Sequence, residues 1–358
     1  MITRTQLIPA PQRQAGLSII EIMVALVLGA LLTLGLVQIF TSNSQSFRVN
    51  ESTARAQESG RIATDMVARA IRNAGYFGCF PENGIANNLD TSDDDYDESL
   101  HDFRFDGIFS ESASRPDEAV AGTDWFLVSG LRGGGVSLHA NEQVNSASFT
   151  VNQQGDLEPG DVIMISDCNH GDIFEVSNIQ QGTGNEVSVT VVANSGEGEP
   201  GNDFSGNSPE GCNNTSNCLS AIYPSGAQVL TPYNEVYFVG AGNSGRRALF
   251  VINSRINPGT PVELVDGVQD MRVRYGIGTS SAGVNSWETD PDAITNWENV
   301  VATQVSLLIR SGNDDLLEDP MSVCYPSWAD CSGGDNFNAT DNALYRVYSF
   351  TTSLRNRI

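Results

Sequence analysis

Glu21 is the only charged side chain between residues 17 and 40, a run of 24 residues dominated by Leu, Ile, Val and Ala. About 20 such residues cross a bilayer, and a carboxylate among them is costly, so its presence asks for a functional reason. The plain alternative is an interfacial glutamate reaching toward lipid headgroups. The other residues with chemistry to offer lie further along. Cys79, Cys168, Cys212, Cys218, Cys324 and Cys331 all follow the apolar run. Neither close pair forms C-x-x-C, and His170 is the only histidine near a cysteine, which speaks against zinc and for disulfides in an oxidising compartment. Six cysteines allow fifteen pairings. The short spacings favour Cys212–Cys218 and Cys324–Cys331, which leaves Cys79 and Cys168 for each other.

Asp93, Asp95 and Asp97 alternate as at the start of an EF-hand calcium loop. The sixth position of that loop would be Glu98 rather than Gly, and the twelfth Arg104 rather than Glu, so an EF-hand is rejected. The run reads as a solvated acidic loop, with an irregular calcium site as the alternative. Nothing points to an enzyme. The three histidines, His101, His139 and His170, stand apart, and no G-x-S-x-G, Walker A, H-E-x-x-H or G-x-G-x-x-G motif occurs in a usable context. Gly133-Gly134-Gly135 reads as a turn. Trp125, Trp287, Trp297 and Trp328 read as core packing before any binding face. No cofactor and no catalytic residue is called for.

The elements that must carry these residues follow from pattern and punctuation. Residues 1–16 hold Arg4 and Arg13 and no acid, which keeps the N-terminus cytoplasmic and sends the body across the membrane. The apolar run is longer than the core of an ordinary secretory signal and has no small-residue exit. A plain membrane anchor fits the length but leaves Glu21 unexplained. Residues 41–75 contain no proline, and within them Ile62, Met66 and Ala70, flanked by Val67, Ile71 and Ala74, form an apolar stripe. One helix over about 18–74 is expected, closed by Gly75, Gly78 and Pro81. From residue 124 short strands divided by Gly, Asn and Pro are expected at 125–128, 148–151, 161–166, 173–179, 186–192, 228–231, 235–239, 248–252, 268–275, 300–310 and 344–352. The fold class is α+β: a long N-terminal helix packed on a large antiparallel β-rich body. The chain carries 44 acidic and 19 basic residues, a formal net charge of −25, which excludes nucleic acid as a partner.

Ala15-Gly16-Leu17-Ser18-Ile19-Ile20-Glu21, between the basic leader and the apolar run, resembles the type IV prepilin signal. Gly75-Tyr-Phe-Gly-Cys79, the stretches 166–177, 265–276 and 297–310, and the ending at 345–356 are together similar to the PilW family of minor pilins. The resemblance covers the mature chain almost end to end. It implies a pilin lollipop, with leader 1–16, membrane or filament-core half-helix 17–40, amphipathic half-helix 41–75 and periplasmic body 76–358. It implies cleavage between Gly16 and Leu17 by a prepilin peptidase and N-methylation of Leu17, where the family usually has Phe. Cleavage would leave a positive α-amine in an apolar bundle, and Glu21 of a neighbouring subunit would neutralise it and fix axial register. The implied function is priming and joining type IV pilus assembly at or near the tip, for pilus biogenesis and twitching motility. The implied partners are other minor pilins, the major pilin, a large tip adhesin and inner-membrane lipid. The late strands also resemble the J-type minor pseudopilin of type II secretion, the first alternative; a calcium-dependent surface adhesin is the second.

Overall fold

The computed structural model describes residues 16, 18–78, 84–103, 106–139, 148–181, 187–190, 200–207, 210, 212, 218–254, 259–279, 283–312, 314–334 and 336–354. The chain divides into two compact units, Met1–Thr53 and Ala54–Ile358. Helix α1 spans Ile19–Asn73. No proline interrupts residues 12–80, so the backbone ladder runs unbroken. The helix stops where Gly75 takes a left-handed φ of 72° and its N–H turns away to the Ser129 carbonyl at 2.9 Å.

In the first unit the side chains of α1 from Ile19 to Phe40 are uncovered. In the second, the helix buries Ala56, Ala63, Val67, Ile71 and Ala74. The buried stripe is therefore rotated from the expected one: Met66 and Ala70 sit at its margin and Ile62 is 37% exposed. Small residues occupy the line of closest approach. Gly60 belongs to it, since a Cβ there would lie 2.3 Å from the Tyr348 ring.

The helix face packs on strands from two sheets. The larger has eight strands: β1 (Ile85–Asn87), β2 (Ile108–Phe109), β3 (Phe126–Ser137), β5 (Val162–Ser166), β6 (Gly171–Glu175), β9 (Gln228–Ala241), β10 (Arg247–Asn253) and β11 (Val262–Asp266). All its pairs are antiparallel except β1 with β6. The second sheet has the order β13-β12-β14-β17, with β12 Val268–Thr279, β13 Gly283–Glu288, β14 Val300–Arg310 and β17 Tyr345–Ser353. Val67 and Ile71 share one core with Phe126, Phe238, Met271, Tyr275, Val305 and Leu307. A third sheet joins β4 (Ser148–Val151), β7 (Asn178–Gln181) and β8 (Val187–Thr190), and β15 (Ser322–Cys324) pairs with β16 (Asn336–Asn338). A one-turn helix, α2, covers Glu98–His101.

Three local expectations are corrected. Pro232 does not separate two strands; 228–231 and 235–239 lie in one strand, β9. Along one edge β9 pairs with β3, and along the other with β5 up to Leu230 and with β10 from Glu235. The N–H of Asn234 turns to the β10 side, to Ser254, so the proline nitrogen two residues earlier faces the gap between β5 and β10, where no ladder bond is lost. The stretch 173–179 breaks after Glu175, its two parts joining different sheets. Gly133-Gly134-Gly135 is a bulge inside β3, where the register against β9 shifts between Gly133 and Val136, and not a turn.

Candidate functional site: the N-terminal segment of the first helix

Gly16 is exposed, with none of the described residues within 4 Å of where a Cβ would sit. Leu17, the expected first mature residue, lies outside the described residues. Glu21 falls in the first turn of α1, where a carboxylate is favoured by the helix dipole, and it is exposed. Below it Ile22, Ala25, Leu26, Gly29, Ala30 and Thr33 line a shallow groove along the helix. Thr33 donates its hydroxyl to the Gly29 carbonyl at 2.7 Å, so its polar atom is already satisfied. Each glycine in a helix costs about 1 kcal/mol relative to alanine. At Gly29 and Gly35 no atom of the described residues lies within 4 Å of where a Cβ would sit, so no contact among them demands a glycine. Small residues of this kind let helix backbones approach one another in an apolar medium. What this arrangement offers is a carboxylate and a groove, both on an uncovered apolar helix.

The remaining sequence candidates are spread through the second unit. Cys212 is bonded to Cys218 and Cys324 to Cys331. Cys168 is disulfide-bonded, and it holds a left-handed φ of 75° in the turn between β5 and β6. Cys79 lies outside the described residues. In the acidic loop, Asp93 accepts the N–H of Asp95 at 2.9 Å, and Asp90 accepts both the N–H and the hydroxyl of Ser92 at 2.9 and 2.6 Å. Those hydrogen bonds hold Asp90 below the usual carboxylate range. Asp97 donates its N–H to Nδ1 of His101 at 2.9 Å, and burial keeps the imidazole below its ordinary pKa. Asp93, Asp95 and Asp97 are thus not gathered around one point, and among the described residues no three His, Cys, Asp or Glu side chains could hold a metal ion.

Sequence reasoning missed the buried polar clusters of the body. Asp172 on β6, fully buried, accepts from the Tyr223 hydroxyl at 2.5 Å, the Ser220 hydroxyl at 2.7 Å and Asn88 Nδ2 at 2.8 Å. It ties the segment after β1 and the loop carrying Cys218 to the large sheet. Asp270 on β12 and Asp124, two residues before β3, share Arg272 of β12, whose nitrogens lie 3.1 and 3.5 Å from them. Arg274 lies between the rings of Trp287 and Trp328, 4.7 and 4.9 Å from their centroids. The D-x-R-x-R alternation of 270–274 puts these three on one face of a strand, a signal legible only once the strand's buried face is known.

Comparison with known proteins adds a name to this geometry. A family model described as type IV pilus-assembly protein W matches residues 236–356, from within β9 through the whole of the four-stranded sheet. A second, for the prokaryotic N-terminal methylation motif, matches residues 11–37, which hold Gly16, Glu21 and most of the apolar run. The chain thus carries a PilW-like region and, at its other end, the N-terminal methylation motif. A solved type IV-like pilin from Thermus thermophilus is 19% identical over 36% of this chain and 68% of its own, with a TM-score of 0.22. No curated protein matches the chain. The PilW-like region contains the Asp270–Arg272 pair and the Arg274 stack. The methylation motif coincides with the uncovered helix surface.

Proposed function

We propose that the chain is made as a prepilin, cut between Gly16 and Leu17, methylated on Leu17, and drawn from the inner membrane into a type IV pilus as a minor subunit. There it joins other minor pilins in priming assembly at or near the tip, next to a large adhesin. The Glu21 carboxylate of one subunit pairs with the new α-amine of another. The observation that carries this reading is the coincidence of the methylation motif at 11–37 with a helix whose apolar surface is uncovered from Ile19 to Phe40. That surface needs lipid or other helices to cover it. The two arginines of the leader favour a cytoplasmic N-terminus and a periplasmic body.

Two measurements test the proposal. Mass spectrometry of the mature protein should find N-methyl-Leu17 at the N-terminus; a start beyond Phe40 would mean a conventional signal peptide. Glu21→Ala should insert in the membrane with an intact body and support few pili. Normal surface piliation in that variant, with no redundant minor pilin present, would sink the charge-pairing role.

A further inference from the structure

A cleft of about 660 Å³ opens between the last turns of α1 and the strands β3 and β9. Its floor is apolar, from Met66, Ala70 and Leu131, and its rim carries Arg69, Arg72 and Arg132. Tyr76 stands beside it, 50% exposed. Among the lining residues three arginines stand with one carboxylate, Glu235, in a chain that bears 44 acids and 19 basic residues.

The three arginines are not equally committed. Arg69 is held by Asp65 on its own helix face, with contacts of 2.7 and 3.1 Å. Arg132 reaches Glu235 at 2.6 Å while its guanidinium stacks 4.4 Å over the Tyr233 ring. Glu235 is already occupied, since it also accepts from the Tyr237 hydroxyl and Asn253 Nδ2 at 2.9 and 3.1 Å. It has little left for another cation. Arg72, in the last turn of α1, has no carboxylate at ion-pair distance among the described residues. Burial and Glu235 push Tyr233 up to about 12, so the ring wall of the cleft stays neutral and does not repel an anion.

We propose that this cleft is a docking site for an acidic polypeptide segment of another protein, one that sets a carboxylate between Arg72 and Arg132 and an adjacent apolar side chain on Met66, Leu131 and Tyr76. Arginine and tyrosine around an apolar floor are the residue types that carry most of the energy at protein interfaces. Arg132 is preorganised by its stack on Tyr233, and a planar guanidinium accepts a carboxylate edge-on with two parallel hydrogen bonds. The opening to solvent suits a side chain and its neighbours on a chain more than an enclosed small molecule. The body's own negative charge opposes any anion approaching from afar, so binding here depends on local geometry and selects for an acid delivered next to an apolar group. The proposal does not rest on the pilus reading.

The test uses the full chain in detergent micelles and two fluorescent peptides, one alternating Glu and Leu, the other with every Glu replaced by Gln. The Glu peptide should bind saturably and the Gln peptide at least tenfold more weakly. Arg72→Gln, a helix-compatible change on an exposed position, should weaken the Glu peptide about tenfold, the loss expected for one charge-assisted contact. Arg346→Gln, an exposed arginine outside the cleft, should leave binding unchanged. Equal binding of the two peptides would overturn the proposal. So would equal losses in Arg72→Gln and Arg346→Gln, which would mean diffuse attraction to any cation.

Discussion

Asp270 shows how a single buried carboxyl sets a pH dependence of unusual sign. Burial raises it to about 6 from an ordinary 3.8, and the ion pair with Arg272 only partly offsets that. Asp124, on the other side of Arg272, is also raised by burial although it accepts the Val273 N–H at 2.8 Å. Two acids thus compete for one guanidinium, and the Oδ1 atom of Asp270 has no hydrogen-bond partner among the described residues. A carboxyl whose folded pKa exceeds its unfolded value destabilises the fold when ionised. Its cost is full above about pH 6 and fades as the pH falls toward 4, at most about 3 kcal/mol for two units of pKa. Asp270→Asn removes the ionisation and keeps the shape. Its stability relative to wild type should therefore improve by about 2 kcal/mol between pH 4.5 and pH 8. Urea unfolding at both pH values reads this difference, and a difference independent of pH would refute it.

Elements were legible from sequence where punctuation and periodicity agree. The 55-residue α1 lies within a residue or two of its expected ends because proline-free chain and Gly75 leave no other stopping point. Its buried face keeps Val67, Ile71 and Ala74 of the expected stripe but leaves Ile62 largely outside, because small residues such as Ala56, Gly60 and Ala63 occupy the line of contact. At Gly60 this becomes a test. Alanine is favoured over glycine by about 1 kcal/mol within a helix. Here its Cβ would meet the Tyr348 ring at 2.3–2.6 Å, so Gly60→Ala should lower the melting temperature. In a Tyr348→Ala background the same change should raise it. The same sign in both backgrounds would mean that Gly60 is not a contact point. The strand errors at Pro232 and at the glycine bulge share a cause. Each residue is normally a breaker, and each is tolerated where β9 changes partner or β3 slips register, which only the assembled sheet reveals.

The covalent links act at this scale too. Cys168 is disulfide-bonded, and with two pairs closed elsewhere the proposed partner is Cys79, just past the end of α1. Such a link would close a loop of about 90 residues and stabilise by about 4–5 kcal/mol in the chain-entropy model, against about 2 kcal/mol for the six-residue Cys212–Cys218 loop. Cys79→Ser should therefore cost the body more than Cys212→Ser does in thermal unfolding. Peptide mapping without reduction that joins Cys168 to any residue but Cys79 would remove the basis for this ranking.

For the whole molecule, charge is distributed against composition. All 19 basic residues are arginine, with no lysine in the chain. Residues 76–358 carry 40 of the 44 acids but only 12 of the arginines, while the helix segment 41–75 holds five arginines and three acids. The strongest arginine contacts are committed locally: Arg310 is held by Asp314 and Asp341 at 2.5 and 2.7 Å, and Arg246 by Asp266. Among the described residues many other acids are exposed, Asp94, Asp95, Asp117, Glu118, Asp290 and Asp319 among them. Self-repulsion of this size opposes compaction, and it is screened as the Debye length falls from about 14 Å at 0.05 M salt to about 3 Å at 1 M. Salt also weakens the ion pairs, but exposed pairs contribute at most about 1 kcal/mol each and are far fewer than the unpaired acids. Repulsion should win. The melting temperature of the full chain in micelles should rise between 0.05 and 1 M NaCl, and by a similar amount in KCl, since screening depends on ionic strength rather than on the ion. A fall in either salt would mean that the arginine pairs, and not the excess acid, dominate the electrostatics of the fold.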